Sequence, residues 1–444
     1  MRSLNSSEVF FLLDIRFVRK NPEVVRADLK KRGDDEKLKW LEELLELDAE
    51  QRSLLQQVEA LRAQRNKATE KVKQFKKEGK DASAALKEAQ ALPPQIKALE
   101  EKQEKIAERV RYYLMRLPNV LHESVPVGKD ESDNVVVREY GGKRIPCDEP
   151  KSHVDLLNQL DVGDLERAAN ISGARFYFLK NELVLLDYAL QRLALEMLFK
   201  KGFALVEPPH MIARAPYEGV TDLADFENVM YKIDGEDLYL IATSEHPLVA
   251  MHAGEVLDAD ALPLKYAGVS PCYRREAGAH GKDTKGIFRV HQFNKVEQVV
   301  FCKPEDSWRI HEELISNAEE FFRALDLPYR IVNICTGDIG TVAAKKYDLE
   351  VWMPAQQKYR ELVSASNCTS YQACRLGIKY RTGRKNEKGE EEKEWVHTLN
   401  STMVATSRAI VAILENNQDE AGGITIPRVL RPYLNGVERI SRKK

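Results

Sequence analysis

A seven-residue apolar repeat in the first quarter of the chain limits its fold more than any other feature. Trp40, Leu47, Leu54, Leu61, Ala68 and Phe75 recur every seven residues, and Leu44, Gln51, Val58, Arg65 and Val72 each fall three residues ahead of a member of that series. A 3-4 spacing kept over five heptads predicts a coiled-coil seam rather than the stripe of an ordinary surface helix. Gly79 is the one glycine between positions 37 and 117. At ~1.5 Å per residue, positions 37–77 as helix would reach roughly 60 Å. The pattern stops at Glu78-Gly79-Lys80-Asp81, a polar turn with a helix-ending glycine, and resumes at Leu92, Ile96, Leu99, Gln103, Ile106, Val110, Tyr113 and Leu117. Two helices joined by a short turn cover both seams by folding back antiparallel. Pro93-Pro94 conflicts with a continuous second helix, since an interior proline costs ~3 kcal/mol. The second helix is therefore expected to start near Pro93, with 82–91 a separate turn or kinked segment. From Arg62 to Lys80 the surface carries eight Lys or Arg against two acids, a net of +6. That bias reads either as a solvated coiled-coil face or as a contact surface for a phosphate backbone.

After about residue 120 the heptads vanish. Helical stretches at 183–201 and 308–325 alternate with short Val/Ile/Tyr/Phe-rich runs at 238–241, 288–292, 298–301, 347–352 and 395–399. This alternation predicts an antiparallel sheet flanked by helices, with the charged segment 385–394 as an exposed hairpin connection. Of the 444 residues, 43% are hydrophobic and 31% charged, enough to bury a core. Lys and Arg number 68 against 70 Asp and Glu, a balance that excludes a histone-like, wholly basic binder. No apolar run approaches the ~18–20 residues of a membrane span. Positions 9–13, bracketed by Glu8 and Asp14, are too short and too acidic for a targeting peptide. Six cysteines without C-x-x-C spacing read as free thiols of a reducing cytosol. His246, His252 and Cys272 are too irregularly spaced for a zinc site and read as core or loop residues.

Three clusters carry chemistry. Tyr273-Arg274-Arg275-Glu276-Ala277-Gly278 is followed by a glycine-rich polar loop and then by Phe288-Arg289-Val290-His291-Gln292-Phe293-Asn294-Lys295-Val296-Glu297. Read as a strand, a loop and a returning strand, Arg274 and Glu276 share one face, and so do Arg289, His291, Phe293, Lys295 and Glu297. Guanidinium forks for phosphate, a ring for a base and carboxylates for an amine make a nucleotide site; an ordinary cross-strand ion-pair ladder has the same spacing. The second cluster is 359–368, containing Glu361 and Ser364. In the third, 399–408, Arg408 sits near the start of an apolar helix whose N-terminus favours anions. Neither a P-loop nor a dinucleotide-binding glycine motif is present.

Along essentially its whole length the chain resembles the seryl-tRNA synthetases, a family of class II aminoacyl-tRNA synthetases. The resemblance rests on the helical arm, the block around Pro209 (class motif 1), YRREAG to KVEQ (motif 2), LNSTMVATSRAIVAILEN (motif 3) and Thr243-Ser244-Glu245, similar to the family's Thr-x-Glu serine loop. It implies an α+β fold: a class II antiparallel sheet of six to seven strands flanked by helices, plus an N-terminal all-α antiparallel coiled-coil arm. It implies a tRNA-binding domain over 1–120 and a catalytic domain over 121–444. The implied activity is ATP-dependent formation of seryl-adenylate from L-serine and transfer to tRNA(Ser), and also to tRNA(Sec). A cytoplasmic homodimer with Mg2+ and no zinc is expected.

The same resemblance assigns roles by residue. Arg274, Arg289 and Arg408 are implied as catalytic, Arg274 and Arg408 on the α- and γ-phosphates of ATP, and Arg289 on the serine carboxylate and α-phosphate. Arg275, Glu276, Val290, Phe293, Leu362 and Val363 complete the ATP site, with Glu276 at the adenine end, Val290 offering backbone, and Phe293 stacking on the ring opposite Arg408. Glu361 and Ser364 would hold Mg2+. Thr243, Ser244, Glu245, Arg289, Glu297, Asn400 and Thr402 would surround serine. Two other readings compete: a related ligase that loads an amino acid onto a carrier protein, against which the long arm argues, and a retired, non-catalytic synthetase, against which the three retained arginines argue. The leader before Leu13-Asp14-Ile15-Arg16, where family chains tend to begin, has no assigned role.

Overall fold

The computed structural model describes residues 14–222, 229–276, 285–385 and 389–442. The leader, most of the glycine-rich connection after Glu276 and the tip of the charged hairpin lie outside the described residues. The chain divides into two compact units between Leu117 and Pro118.

In the first unit, helices α1 (Ile15–Lys20) and α2 (Pro22–Arg32) lead into two long helices, α3 (Asp35–Lys77) and α4 (Ser83–Leu114). Asp34 starts α3, its carboxylate accepting from the Lys37 N–H at 3.0 Å, a side-chain cap on the otherwise orphaned first-turn donors. Every seam position named above is buried or partly buried, with Leu44 fully enclosed. Val58 of α3 packs against Leu92 and Ile96 of α4. Arg62–Glu100 at 2.7 Å and Lys102–Glu50 at 2.7 Å pair across the two helices. The left-handed φ of +69° at Gly79 lets the chain leave α3, a conformation a side chain would strain.

Helix α4 begins at Ser83, ten residues before the expected start, and runs through Pro93 and Pro94. The two prolines are exposed, so the carbonyls of Ala89 and Gln90, which lose their helical partners, lie on the solvent side. Leu92 and Ile96 hold the helix to α3 on either side of them. Packing along the seam thus overrides the local penalty. Of the basic residues near the turn, Arg62, Lys73 and Lys80 are ion-paired, whereas Lys67, Lys71, Lys76 and Lys77 are exposed.

The second unit is built on one eight-stranded sheet. The eight strands of that sheet and four of the unit's helices are, in chain order, β1 (Val135–Tyr140), α5 (Glu182–Lys200), β2 (Ala204–Val206), α6 (Glu245–Ala250), β3 (Leu264–Tyr273), β4 (Gln292–Cys302), α7 (Ser307–Ala324), β5 (Tyr329–Asn333), β6 (Lys345–Met353), β7 (Lys358–Asn367), β8 (His397–Ala405) and α8 (Thr406–Asn416). The strand order is β1-β5-β6-β7-β8-β4-β3-β2. Neighbours pair antiparallel except β2, which joins the edge parallel to β3. The sheet therefore has one strand more than expected, because a three-residue edge strand is too short to show an alternation. The charged segment lies in a hairpin, but the connection is shorter than expected: Lys379–Lys385 pairs with Glu391–Trp395, so Glu391 to Glu394 are strand residues, and Trp395 and Leu399 belong to different strands.

Helix α7 buries Ile310, Leu314, Ala318, Phe321 and Phe322 at 3-4 spacing into the main core, each worth up to ~1.5–3 kcal/mol for the larger side chains. Helix α8 is buried along nearly its whole length, which its unbroken apolar run requires. The expected strand at 288–292 is not there. Strand β4 begins only at Gln292, and Phe288 to Val290 are irregular backbone with buried Phe288 and Val290 side chains. Burial accounts for their apolar character, so the shared-face argument holds for Phe293, Lys295 and Glu297 but not for Arg289. Arg274 and Glu276 likewise lie past the end of β3, with Glu276 at a φ of +49°.

Candidate active site

The ladder places the polar residues. Gly268 of β3, Glu297 of β4 and Thr402 of β8 stand directly opposite one another across three strands, and Asn400 of β8 faces Ser366 of β7. The register shift between Thr402 and Val404 re-aims β8 just before it passes into α8, which carries Arg408. These elements line a cavity of about 290 Å³, to which Thr243, Glu245, Arg274, Phe293, Glu297, Glu361, Leu362, Ser364, Asn400, Thr402 and Arg408 all contribute.

One end of the cavity is acidic and densely bonded. Gln372 and Asn400 donate to Glu245 Oε1 at 2.9 and 3.0 Å, and the Glu245 N–H donates to Thr243 Oγ1 at 3.2 Å. Burial, reinforced by the neighbouring Glu297 carboxylate, pushes the Glu245 carboxyl up to about 7. Glu297 Oε2 takes both the Lys295 ammonium at 2.6 Å and the Thr402 hydroxyl at 3.0 Å. His246 lies beside them, buried against Tyr217, and burial lowers it to about 3, so its ring is neutral.

The other end is cationic. Arg274 lies over the Phe293 ring at 5.3 Å and reaches the Ala242 carbonyl at 3.4 Å. Arg408 donates to the backbone carbonyl of Glu361 at 2.8 Å, stands 3.4 Å from its carboxylate and lies over Phe288 at 5.0 Å. Phe293 thus carries Arg274 over its face, and Phe288 carries Arg408. Partial desolvation works against ionisation of Glu361, whose side chain is still 46% exposed, yet Arg408, with Lys346 and Arg274, holds its carboxyl below the usual range. Asp348 faces Ser364 across the β6–β7 ladder, and its buried Oδ1 has no hydrogen-bond partner. A carboxylate, a hydroxyl and an orphaned carboxylate oxygen are hard donors suited to Mg2+, which usually takes few protein ligands and leaves the rest to phosphates and water.

Six of the expected site residues stand outside the cavity wall. Arg289 is ion-paired with Glu276, so two of the three arginines, not three, face the cavity. Ser244 is buried with its hydroxyl on the Gly268 carbonyl, Arg275 donates its N–H to the Val229 carbonyl, and Val290 and Val363 are core residues. Asp348 and Gln372 were not named from the sequence, and Lys295 was placed on the shared strand face with Glu297 but given no role. Lys295 had a legible signal, the i, i+2 spacing to Glu297 on one strand; the other two come from distant segments. The candidates set aside are distributed as bonding or packing groups. His252 bonds Glu255 and Tyr266, His291 bonds Tyr231 and the Arg274 carbonyl, and all six cysteines are buried and free. Among the described residues no group of three or more His, Cys, Asp or Glu is arranged to hold a metal ion, and no helix is long and apolar enough to cross a membrane.

This architecture has close relatives. Residues 12–121 match the seryl-tRNA synthetase N-terminal domain and residues 229–417 the class II tRNA synthetase core domain for G, H, P, S and T. The serine--tRNA ligase of Methanoculleus marisnigri is 59% identical over 97% of this chain and 100% of its own length; that of Methanocella arvoryzae is 58% identical over 96% and 100%. The crystal structure of seryl-tRNA synthetase from Pyrococcus horikoshii, complexed with ATP, superposes with a TM-score of 0.91 at 52% identity, covering 98% of this chain and 100% of that one. The serine-tRNA ligase of Naegleria fowleri, in complex with AMP, gives 0.85 at 37% identity with the same coverage. With an arm and a core each matched in place, and relatives aligned from end to end, the chain belongs to the seryl-tRNA synthetase family.

Proposed function

We propose that this protein activates L-serine with ATP and transfers the seryl group to the 3′ end of tRNA(Ser), and also of tRNA(Sec). The observation that carries the reading is the single cavity with an acidic, hydrogen-bonding end at Glu245, Glu297 and Thr402 and a guanidinium end at Arg274 and Arg408. Glu245, with Thr243 and Asn400 beside it, takes the ammonium of serine, and Glu297 and Thr402 take its hydroxyl. That places the carboxylate toward the arginines. In the first step a serine carboxylate oxygen attacks the α-phosphorus of ATP; the new C–O–P linkage forms as the bond to the β-phosphate breaks and pyrophosphate leaves. The nucleophile is already an anion, so no base is needed, and the work is positioning and neutralisation of crowded oxygens.

Arg274 holds the α-phosphate and Arg408 the γ-phosphate, while Arg289 exchanges Glu276 for the carboxylate and α-phosphate. Arg275, Glu276, Val290, Phe293, Leu362 and Val363 complete the ATP site, Val290 through its backbone, with Phe293 under adenine. Glu361 and Ser364 would hold Mg2+, which supplies charge neutralisation of the phosphates when bound. In the second step the terminal ribose hydroxyl of tRNA attacks the seryl carbonyl and AMP leaves, its phosphate oxygen accepting the proton. Residues 1–120 form the tRNA-binding domain and 121–444 the catalytic domain, the arm of one subunit in a cytoplasmic homodimer serving the other's site.

Pyrophosphate exchange into ATP, run across all twenty amino acids, tests the reading: serine supports exchange far better than alanine. Arg408→Ala and Glu361→Ala abolish it, and retained exchange in both variants refutes the site assignment.

A further inference from the structure

We infer that Lys295 determines amino-acid selectivity by holding Glu297 as an acceptor-only carboxylate beneath the side chain of the bound amino acid. The inference rests on the serine-activating function proposed above and deepens it.

The geometry is specific. Lys295 and Glu297 are two apart on β4, so both project from the same face while Val296 points into the core. Both side chains are buried, at 7% and 2% exposure. The ammonium lies 2.6 Å from Glu297 Oε2, and the Thr402 hydroxyl donates to that same oxygen at 3.0 Å. Among the described residues no group donates to Oε1, and both Lys295 and Glu297 belong to the cavity wall. The carboxylate is therefore turned by two donors on one oxygen, leaving the other as an open acceptor.

Such an acceptor selects by what it refuses. A ligand hydroxyl donates into it; a methyl group leaves a buried charge without its hydrogen bond, which is how a polar pocket rejects the analogue lacking a polar group. The selection weakens if the carboxylate is free to turn, because Oε1 is then no longer held as the open acceptor. Glu297 shares its pocket with the Glu245 carboxyl, and a carboxylate this buried needs a cation at hand. Lys295 is that cation. Arg274 and Arg408, at the opposite end, are engaged by Ala242 and Glu361. Lys295 thus acts through Glu297 as a positioning residue.

The test is pyrophosphate exchange with serine and with alanine, ATP being varied separately, for wild type, Lys295→Met, Lys295→Arg and the double variant Lys295→Met/Glu297→Gln. Lys295→Met is expected to raise the serine KM and to lower the serine-over-alanine ratio of kcat/KM by ~10- to 100-fold, with the ATP KM unchanged. Lys295→Arg keeps a cation and is expected to recover part of the ratio. An unchanged ratio in Lys295→Met, or a loss confined to kcat, overturns the inference. If Lys295→Met does not fold, the double variant, with a neutral pair in the same place, decides: it is expected to fold and to lose selectivity, and full selectivity in it overturns the inference. A wild type without serine-dependent exchange overturns the function itself and the inference with it; serine-dependent exchange with an unaltered ratio in the variants overturns the inference alone.

Discussion

Lowering the pH from about 8 to about 6 should weaken serine recognition far more than ATP recognition, and Glu245 is the reason. Its carboxyl, pushed up to about 7 by burial and by Glu297, is mostly ionised at the upper pH and mostly protonated at the lower one. A serine ammonium pairs with the ionised form, so below the pKa each pH unit costs about a factor of ten in competent enzyme, and the serine KM should rise about tenfold over this interval. The ATP KM should change much less, because the carboxyl that titrates lies at the amino-acid end of the cavity, away from Arg408 and the Glu361 carbonyl it binds.

The same shift has a stability consequence whose sign can be worked out. The folded state holds the Glu245 proton up to about 7, whereas an unfolded carboxyl releases it near 4.5. Between those values the folded state binds more protons, so stability falls as pH rises through that window, by ~3 kcal/mol in total, and is flat above it. Glu245→Gln removes the ionisation while its amide oxygen can still accept from Gln372 and Asn400. Its advantage over wild type in denaturant unfolding should grow from near zero at about pH 4.5 to ~3 kcal/mol at about pH 7, at the expense of serine activation. A serine KM that stays within about twofold across the interval, or an identical stability profile in wild type and Glu245→Gln, refutes the reasoning.

Removing residues 40–114 should leave serine-dependent pyrophosphate exchange nearly intact and eliminate tRNA charging; equal charging by the truncated protein would take the arm out of the mechanism. Replacing exposed Lys67, Lys71, Lys76 and Lys77 by alanine should weaken tRNA binding and flatten its salt dependence by ~0.7–0.9 in slope for each lost phosphate contact. An unchanged slope, read by filter binding over a salt series, would mark that surface as merely solvated.

The helical hairpin was legible because periodicity alone dictates which residues must be covered, and each seam position is covered. The start of α4 was misread because proline propensity is local, while Leu92 and Ile96 anchor the helix through contacts with α3 that no window of sequence displays. The segment 288–292 was misread for the opposite reason: its apolar character reflects burial of Phe288 and Val290, which irregular backbone achieves as well as a strand does. Within the site, Glu297 and Thr402 were legible through their motifs, and the ladder brings them opposite each other. The bonds from Gln372 to Glu245 and the place of Asp348 opposite Ser364 depend on which strands and helices are neighbours, and that is decided by the whole sheet.

On the proposed reading, the charges of the cavity wall leave room for a cation to arrive with a polyphosphate. Among the described lining residues, Arg274, Lys295 and Arg408 are matched by Glu245, Glu297 and Glu361, so the wall as a whole offers no surplus positive charge. What it offers is separation: acids and hydrogen-bond acceptors at the amino-acid end, guanidinium groups at the other. Lys295 is committed to Glu297, so on the proposed reading Arg274 and Arg408, joined by Arg289 once it leaves Glu276, would meet a triphosphate of greater charge than theirs. The attachment of Arg408 fits this division. Its 2.8 Å bond runs to the main-chain carbonyl of Glu361, and the carboxylate stands farther off at 3.4 Å. The carboxylate can therefore turn to a divalent cation without releasing the guanidinium, since the backbone bond remains. On the proposed reading, neutralising the phosphates falls to Arg274, Arg408, a relocated Arg289 and a metal acting together, and loss of either Arg408 or Glu361 should leave the same unbalanced charge at the reacting phosphorus.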